Sequence, residues 1–172
     1  MLLHLMEILP GDIFTGVCNE VIGLQVLIKR LAGENGALPP MPFYASEGAA
    51  GMDLSANITE PLVLKKGTMA KVPTGIAIAL PGPETVAYLY ARSGLGVKHG
   101  VCLSNGVGVV DSDYRGEISV GLINLGPEDY TIMPGERIAQ MVFAPVIRAE
   151  LSEVELLPES GRGQGGFGST GR

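Results

Sequence analysis

The 172-residue chain predicts an all-β fold, and three observations carry that prediction. Apolar residues recur with period two over short runs, as they do when alternate side chains of a strand face a core. Gly, Pro, Asn and Asp punctuate the chain roughly every 8–12 residues, the spacing of an all-β sandwich or barrel. No stretch of the core sustains a 3.6-residue apolar stripe. NEVIGLQVLIKRL (19–31) comes nearest, but Gly23 and its β-branched residues weigh against a helix.

The elements follow in order. VLIKRL (26–31) alternates and reads as a first strand, and the turn-rich GENGALPPMP (33–42) comes after it. The surroundings of Asp53, between Met52 and Leu54, read as a strand. PLVLKKGTMAKVPTGIAIALP (61–81) holds two strand-like pieces. In the second, Ile76, Ile78 and Leu80 share one face while Ala77 and Ala79 point the other way. TVAYLYA (85–91) is β-branched and aromatic, hence strand. RGEISVGLINLG (115–126) reads as one or two strands and RIAQMVFAPVI (137–147) as another. ELSEVELL (150–157) fits a last strand or a short helix. After Pro158 apolar residues nearly vanish, and six of the eleven residues from Gly161 to Gly171 are glycine. The reading therefore divides the chain into an N-terminal extension (1–23), a β core (24–158) and an arm (159–172) expected to be mobile.

The totals set limits. The length suits one domain with tails. A net charge of −6 argues against a broad nucleic-acid footprint. It leaves room for an anionic small molecule, because a few arginines and backbone N–H groups can hold phosphate locally. Cys18 and Cys102 lack CxxC or Cys/His spacing, so free thiols in a reducing cytoplasm are expected. No apolar run has the length of a membrane span. The opening MLLHLMEILPGDIF has no basic start and is interrupted by Pro10, Gly11 and Asp12, so no signal peptide is expected.

Five stretches resist a purely structural reading. In GAAGMDLSA (48–56), Asp53 sits between apolar neighbours, where an unpaired acid is costly to bury. In ARSGLGVKHG (91–100), Arg92 and Ser93 precede Gly94 and Gly96 directly after a strand. The arginine fork, a hydroxyl and bare N–H groups suit phosphate oxygens, although the block is neither GxGxxG nor a Walker loop. His99 has no His or Cys partner nearby and reads as structural. In SNGVGVVDSDYRGEI (104–118), Asp111 and Asp113 face one side if the chain is extended and diverge if it turns. A carboxylate there could position or deprotonate water; a charged hairpin turn is the plain alternative. In GERIAQMVF (135–143), Gln140 alternates with Ile138 and Val142 and is expected on their face, where its amide would need a partner. The arm offers Arg162, Phe167, Ser169 and Thr170 amid glycines whose N–H groups can approach phosphate.

Together, in this order and spacing, the five blocks resemble the five motifs of the trimeric dUTP diphosphatase (dUTPase) family over residues ~25–172. The resemblance implies a β-jelly-roll or β-barrel subunit, a homotrimer with shared active sites, and an arm that closes over a pocket built by two other subunits. It implies hydrolysis of dUTP to dUMP and diphosphate with Mg²⁺ on the triphosphate, which keeps uracil out of DNA and supplies dUMP for dTMP synthesis. By position, Asp111 matches the catalytic aspartate that activates water. Tyr114 matches the tyrosine under the deoxyribose, and Asn105 lies in the hairpin that reads uracil. Arg92, Ser93 and Gly94 match the phosphate block and Gln140 the glutamine near the phosphates. Asp53 matches an aspartate that supports the site and the metal's water shell. In the arm, Phe167 and Gly168 match the segment over uracil, while Arg162, Ser169 and Thr170 match the groups on the γ-phosphate. Two features depart from the pattern: residues 1–23 carry no motif, and Ala91 stands where a proline or glycine is common.

Three other readings compete. A dCTP deaminase relative would share the fold but need its own glutamate and a different arm. A non-catalytic nucleotide-binding scaffold would not need Asp111 and Tyr114 intact. A plain jelly-roll structural domain leaves the arm and VDSDY unexplained.

Overall fold

The computed structural model describes residues 23–33 and 35–166. Among them, β1 (Leu27–Arg30), β2 (Phe43–Tyr44), β3 (Met52–Ser55), β4 (Leu62–Leu64) and β5 (Met69–Ala79) fill the first half. Next come β6 (Thr85–Ala91), α1 (Ser93–His99), β7 (Val101–Leu103) and β8 (Gly108–Val110). Last are β9 (Ile118–Asn124), β10 (Tyr130–Ile132) and β11 (Arg137–Pro145). The strands form a four-stranded sheet β1-β5-β9-β7, a five-stranded sheet β2-β3-β11-β6-β8 and a pair β10-β4. Every pairing is antiparallel.

Alternation decides which side of each strand is dry. On β6, Ala87 and Leu89 join the core, while Val86, Tyr88 and Tyr90 take the opposite side. On β9 the burial alternates along the whole strand, and Ile118, Val120 and Leu122 point inward. Leu54 and Met141 from the five-stranded sheet, Val72 and Leu103 from the four-stranded sheet, and Leu64 and Ile132 from the pair meet in one core. Each such side chain contributes roughly 1.5–3 kcal/mol when fully buried.

The all-β expectation holds, and the pieces read at 26–31, 61–81, 85–91 and 137–147 all contain strands. Residues 115–126 hold one strand, the simpler of the two arrangements expected. Three results differ in detail. The three sheets stay separate, with edges at β1, β7, β2 and β8, so no closed barrel forms among the described residues. Residues 150–157 form neither strand nor helix; Leu151, Leu156 and Leu157 are 92%, 86% and 83% exposed, with no described residue covering them. Finally, α1 appears where no helix is expected. Gly94 and Gly96 lower its intrinsic propensity, and tertiary contacts compensate. Leu95 is buried, and Gly100 caps the helix in the left-handed region at φ 70°. A Cβ on Gly100 would collide with the Gly126 backbone.

One irregularity fixes the loop that leads into β9. Pro73 lies within β5 and has no N–H to give the ladder. The β5–β9 register shifts between Pro73 and Ile76, leaving Thr74 and Gly75 as a bulge. Thr74 Oγ1 donates to the Ile118 carbonyl at 2.6 Å, and Gly75 takes φ 66°.

Candidate active site

The first cleft forms where β3, β11 and β6 run side by side. Direct pairing aligns Phe43, Asp53, Gln140 and Tyr90 in one row across the sheet, all on the face away from the core. Asp53 is 9% exposed and needs partners. It has two: Oδ1 meets Arg92 Nε at 2.9 Å, and Oδ2 accepts from Arg137 Nη1 at 2.8 Å. Arg92 Nη1 also donates to the Arg137 carbonyl at 3.1 Å. Two nitrogens of the Arg92 fork are thereby fixed, and the side chain lines a cleft with Ser93, Gly94, Gly51, Tyr90 and Gln140. One carboxylate between two guanidinium groups leaves a net charge of about +1, suited to a phosphate.

Gln140 shows where the sequence reading fails. Simple alternation puts it beside Ile138, but a register shift between Arg137 and Ala139 turns the strand. Ile138 enters the core, while Gln140 and Val142 line the cleft. The Gln140 amide does find a partner, donating from Nε2 to the Ala91 carbonyl at 3.2 Å. Arg137 is a functional neighbour that the sequence reading misses. Its signal is present: an acid flanked by apolar residues implies cations nearby, and the GERIAQ block holds one.

Asn105, Asp111 and Tyr114 line a second, smaller cleft of about 230 Å³, walled by Leu89, Gly108 and Ser119. Asn105 stands not in a hairpin but in the turn between β7 and β8, which belong to different sheets; the turn passes through Gly106 at φ 73°. From Asp111 the chain makes a turn closed by the Tyr114 N–H donating to the Asp111 carbonyl at 3.2 Å. Asp111 lines both this cleft and a neighbouring groove; Asp113 lines only that groove, beside Tyr88 and Arg148. The Tyr114 hydroxyl donates to the Glu117 carbonyl at 2.9 Å. No described residue lines both this cleft and the first.

His99 has the structural role expected of it. Its ring stacks on Tyr130 with centroids 4.8 Å apart, tying the end of α1 to β10. The Tyr130 hydroxyl donates to Glu136. Burial, then the hydrogen bond to Glu136 and that group's negative charge, push the Tyr130 pKa up to about 12, against an opposing pull from Arg92. In the arm, Arg162 Nε donates to the Gly165 carbonyl at 2.8 Å, and Arg162 lines neither cleft. Phe167, Gly168, Ser169 and Thr170 lie outside the described residues.

These residues do not fit a resident metal. Among the described residues no group of three or more His, Cys, Asp or Glu side chains is placed to hold an ion. Both oxygens of Asp53 are engaged by arginines.

A family model described as dUTPase matches residues 39–171. The chain belongs to the dUTPase family. A deoxyuridine 5′-triphosphate nucleotidohydrolase of Desulfitobacterium hafniense is 53% identical over 133 residues, 77% of this chain and 88% of the relative. That of Methylococcus capsulatus is 49% identical over 151 residues, 88% of this chain and 97% of the relative. Among solved structures, a Staphylococcus bacteriophage 80alpha dUTPase with dUpNHpp superposes with a TM-score of 0.74 at 27% identity, covering 86% of this chain and 99% of that one. In this dUTPase the two clefts, with Arg92 in one and Asp111 in the other, are the places to look for substrate binding. No helix among the described residues is long and apolar enough to cross a membrane.

Proposed function

We propose that this dUTPase hydrolyses dUTP to dUMP and diphosphate at sites shared between the copies of a homotrimer. The observation that carries the reading is the division of labour between the two clefts. One holds the arginine pair and Gln140, the other Asn105, Asp111 and Tyr114, and they have no described residue in common. A triphosphate in the first cleft and a nucleoside in the second belong to one substrate if two subunits meet there. The bare apolar residues Ile147, Leu151, Leu156 and Leu157 support such an assembly, since a neighbouring jelly-roll subunit would cover them.

The chemistry follows from placement. Asp111 orients a water for in-line attack on the α-phosphorus and takes its proton. The new P–O bond forms as the bond to the β-phosphate's bridging oxygen breaks, and diphosphate leaves. Arg92, held by Asp53 and the Arg137 carbonyl, neutralises phosphate charge with little reorganisation. Ser93, Gly94 and Gln140 supply further donors. Mg²⁺ accompanies the triphosphate, since its preferred oxygen ligands are the substrate's. The Tyr114 ring would leave no room for a 2′-hydroxyl, and the turn at Asn105 presents backbone groups that discriminate by hydrogen-bond polarity. The arm, with Arg162, Phe167, Gly168, Ser169 and Thr170, closes over the nucleotide and excludes bulk water. The reaction would keep uracil out of DNA and feed dTMP synthesis. Cys102, a free thiol, suits a reducing cytoplasm.

The test is diphosphate release from dUTP, dCTP, dTTP and UTP with Mg²⁺, with the nucleotide product identified. Diphosphate and dUMP from dUTP alone are expected. Ammonia from dCTP would move the chain to deaminase chemistry, and silence on all four would leave a binding scaffold.

A further inference from the structure

We infer that Glu117 is a positioning residue for Tyr114: its carboxylate clamps the loop that carries the ring to the β5 bulge, and sugar selection depends on that clamp. The inference rests on the proposed role of Tyr114. The ring is 45% exposed, so packing alone does not fix it. Its hydroxyl donates to the Glu117 carbonyl, only three residues away, which fixes the ring to its own loop and to nothing else. The other hydrogen bonds of this loop are equally local. Tyr114 N donates to the Asp111 carbonyl, and Arg115 Nη1 donates to the Ser112 carbonyl at 2.7 Å and to the Tyr114 carbonyl at 2.9 Å. Among the described residues, one hydrogen bond ties residues 111–117 to a distant part of the chain: Glu117 Oε1 accepts from the Gly75 N–H at 2.7 Å, beside the Thr74 Oγ1 bond to the Ile118 carbonyl.

The receiving end is rigid. Gly75 sits in the β5 bulge at φ 66°, and its carbonyl accepts from Leu31 N at 2.7 Å. Pro39 Cγ lies 2.7 Å and Asn57 Cγ 2.9 Å from where a Cβ on Gly75 would be, so the bulge is walled in. Bulging removes the Gly75 N–H from the ladder, and the Glu117 carboxylate replaces the lost acceptor. Glu117 thus joins two anchors in one residue: the side chain grips β5 and the main-chain carbonyl grips the Tyr114 hydroxyl. Gly116 completes the arrangement. A Cβ there would meet Tyr114 Cζ at 2.6 Å, so the hydroxyl end of the ring lies against bare backbone.

The test compares Glu117→Ala and Glu117→Gln in the full chain labelled with 3-fluorotyrosine, the Tyr114 resonance being assigned by its loss in Tyr114→Phe. Fluorine spectra of the nucleotide-free protein report the ring, and kcat/KM for dUTP and UTP reports selection. In Glu117→Ala the Tyr114 resonance should move toward that of a free ring, and the preference for dUTP over UTP should fall about tenfold. Glu117→Gln keeps an oxygen that accepts the same N–H and should restore both. An unchanged Tyr114 resonance in a folded Glu117→Ala protein would overturn the inference, as would a loss of selection without any change at the ring. A mobile ring with selection intact would uphold the clamp and instead refute Tyr114 as the reader of the sugar.

Discussion

The Asp53 carboxylate holds Arg92 through Nε at 2.9 Å while its other oxygen holds Arg137 at 2.8 Å. A single acid on β3 therefore sets the aim of the guanidinium at the head of α1 and ties it to the start of β11. The arginines are partly open to solvent and Asp53 is not, so the arrangement works mainly by geometry. Asp53→Asn should lower kcat/KM for dUTP about tenfold to a hundredfold through misplacement of Arg92. The same change should cost about 1–3 kcal/mol of stability, since a buried site loses its countercharge. Steady-state kinetics and denaturant melts check the two effects separately.

Asp111→Asn should retain nucleotide binding and lose turnover by about 10²–10⁴-fold, the usual worth of a positioned base. Calorimetric binding of a non-hydrolysable dUTP analogue, set beside kcat, separates the two. Near-normal turnover would remove Asp111 from its role.

Deleting residues 161–172 should leave the fold and assembly intact, because none of the described arm residues joins the core. Turnover of dUTP should nevertheless fall by at least about a hundredfold when bulk water reaches the phosphates. Sedimentation and kinetics on the truncated chain check both statements.

Tyr130 gives the protein an alkaline signature. Its hydroxyl titrates near 10 when unfolded and is pushed up to about 12 in the fold by burial first and Glu136 second. The folded state thus holds this proton more tightly. The contribution is complete below pH 10 and is lost as pH rises through about 12. Tyr130→Phe keeps the stack on His99 but lacks this slope. The stability difference between wild type and variant, followed from neutral pH to about 11, should shrink as pH climbs.

Gly100→Ala should destabilise by about 2 kcal/mol or more, because the position needs φ 70° and a Cβ would strike Gly126. A fall in melting temperature measures it.

The strands are legible in the sequence because alternation reports a face. Val86, Tyr88 and Tyr90 against Ala87 and Leu89 already separate outside from inside on β6. The helix α1 is not legible, since two of its seven residues are glycines and its stability comes from Leu95 and the Gly100 cap. Alternation groups Gln140 rightly with Val142 but wrongly with Ile138, because a bulge at Ile138 leaves no mark in an alternating string. The partnership of Asp53 with Arg137 spans 84 positions, and no local pattern announces it. Residues 150–157 are ambiguous for a different reason: their apolar side chains find no partner among the described residues. Spacing brings the motif blocks into view, but only the fold shows that Asp111 reaches the second cleft while Asp113 stays in the groove that the two share.

The shared site is tested most directly by subunit complementation. Asp111→Asn and Arg92→Ala homo-oligomers, each nearly inactive, would be co-refolded in equal amounts and assayed on dUTP. If Asp111 and Arg92 serve one substrate from different copies, random mixing restores both residues at about a quarter of the sites, and about a quarter of wild-type activity returns. If the mixture stays as inactive as its parents although mixed oligomers have formed, the two clefts do not belong to different halves of one active site.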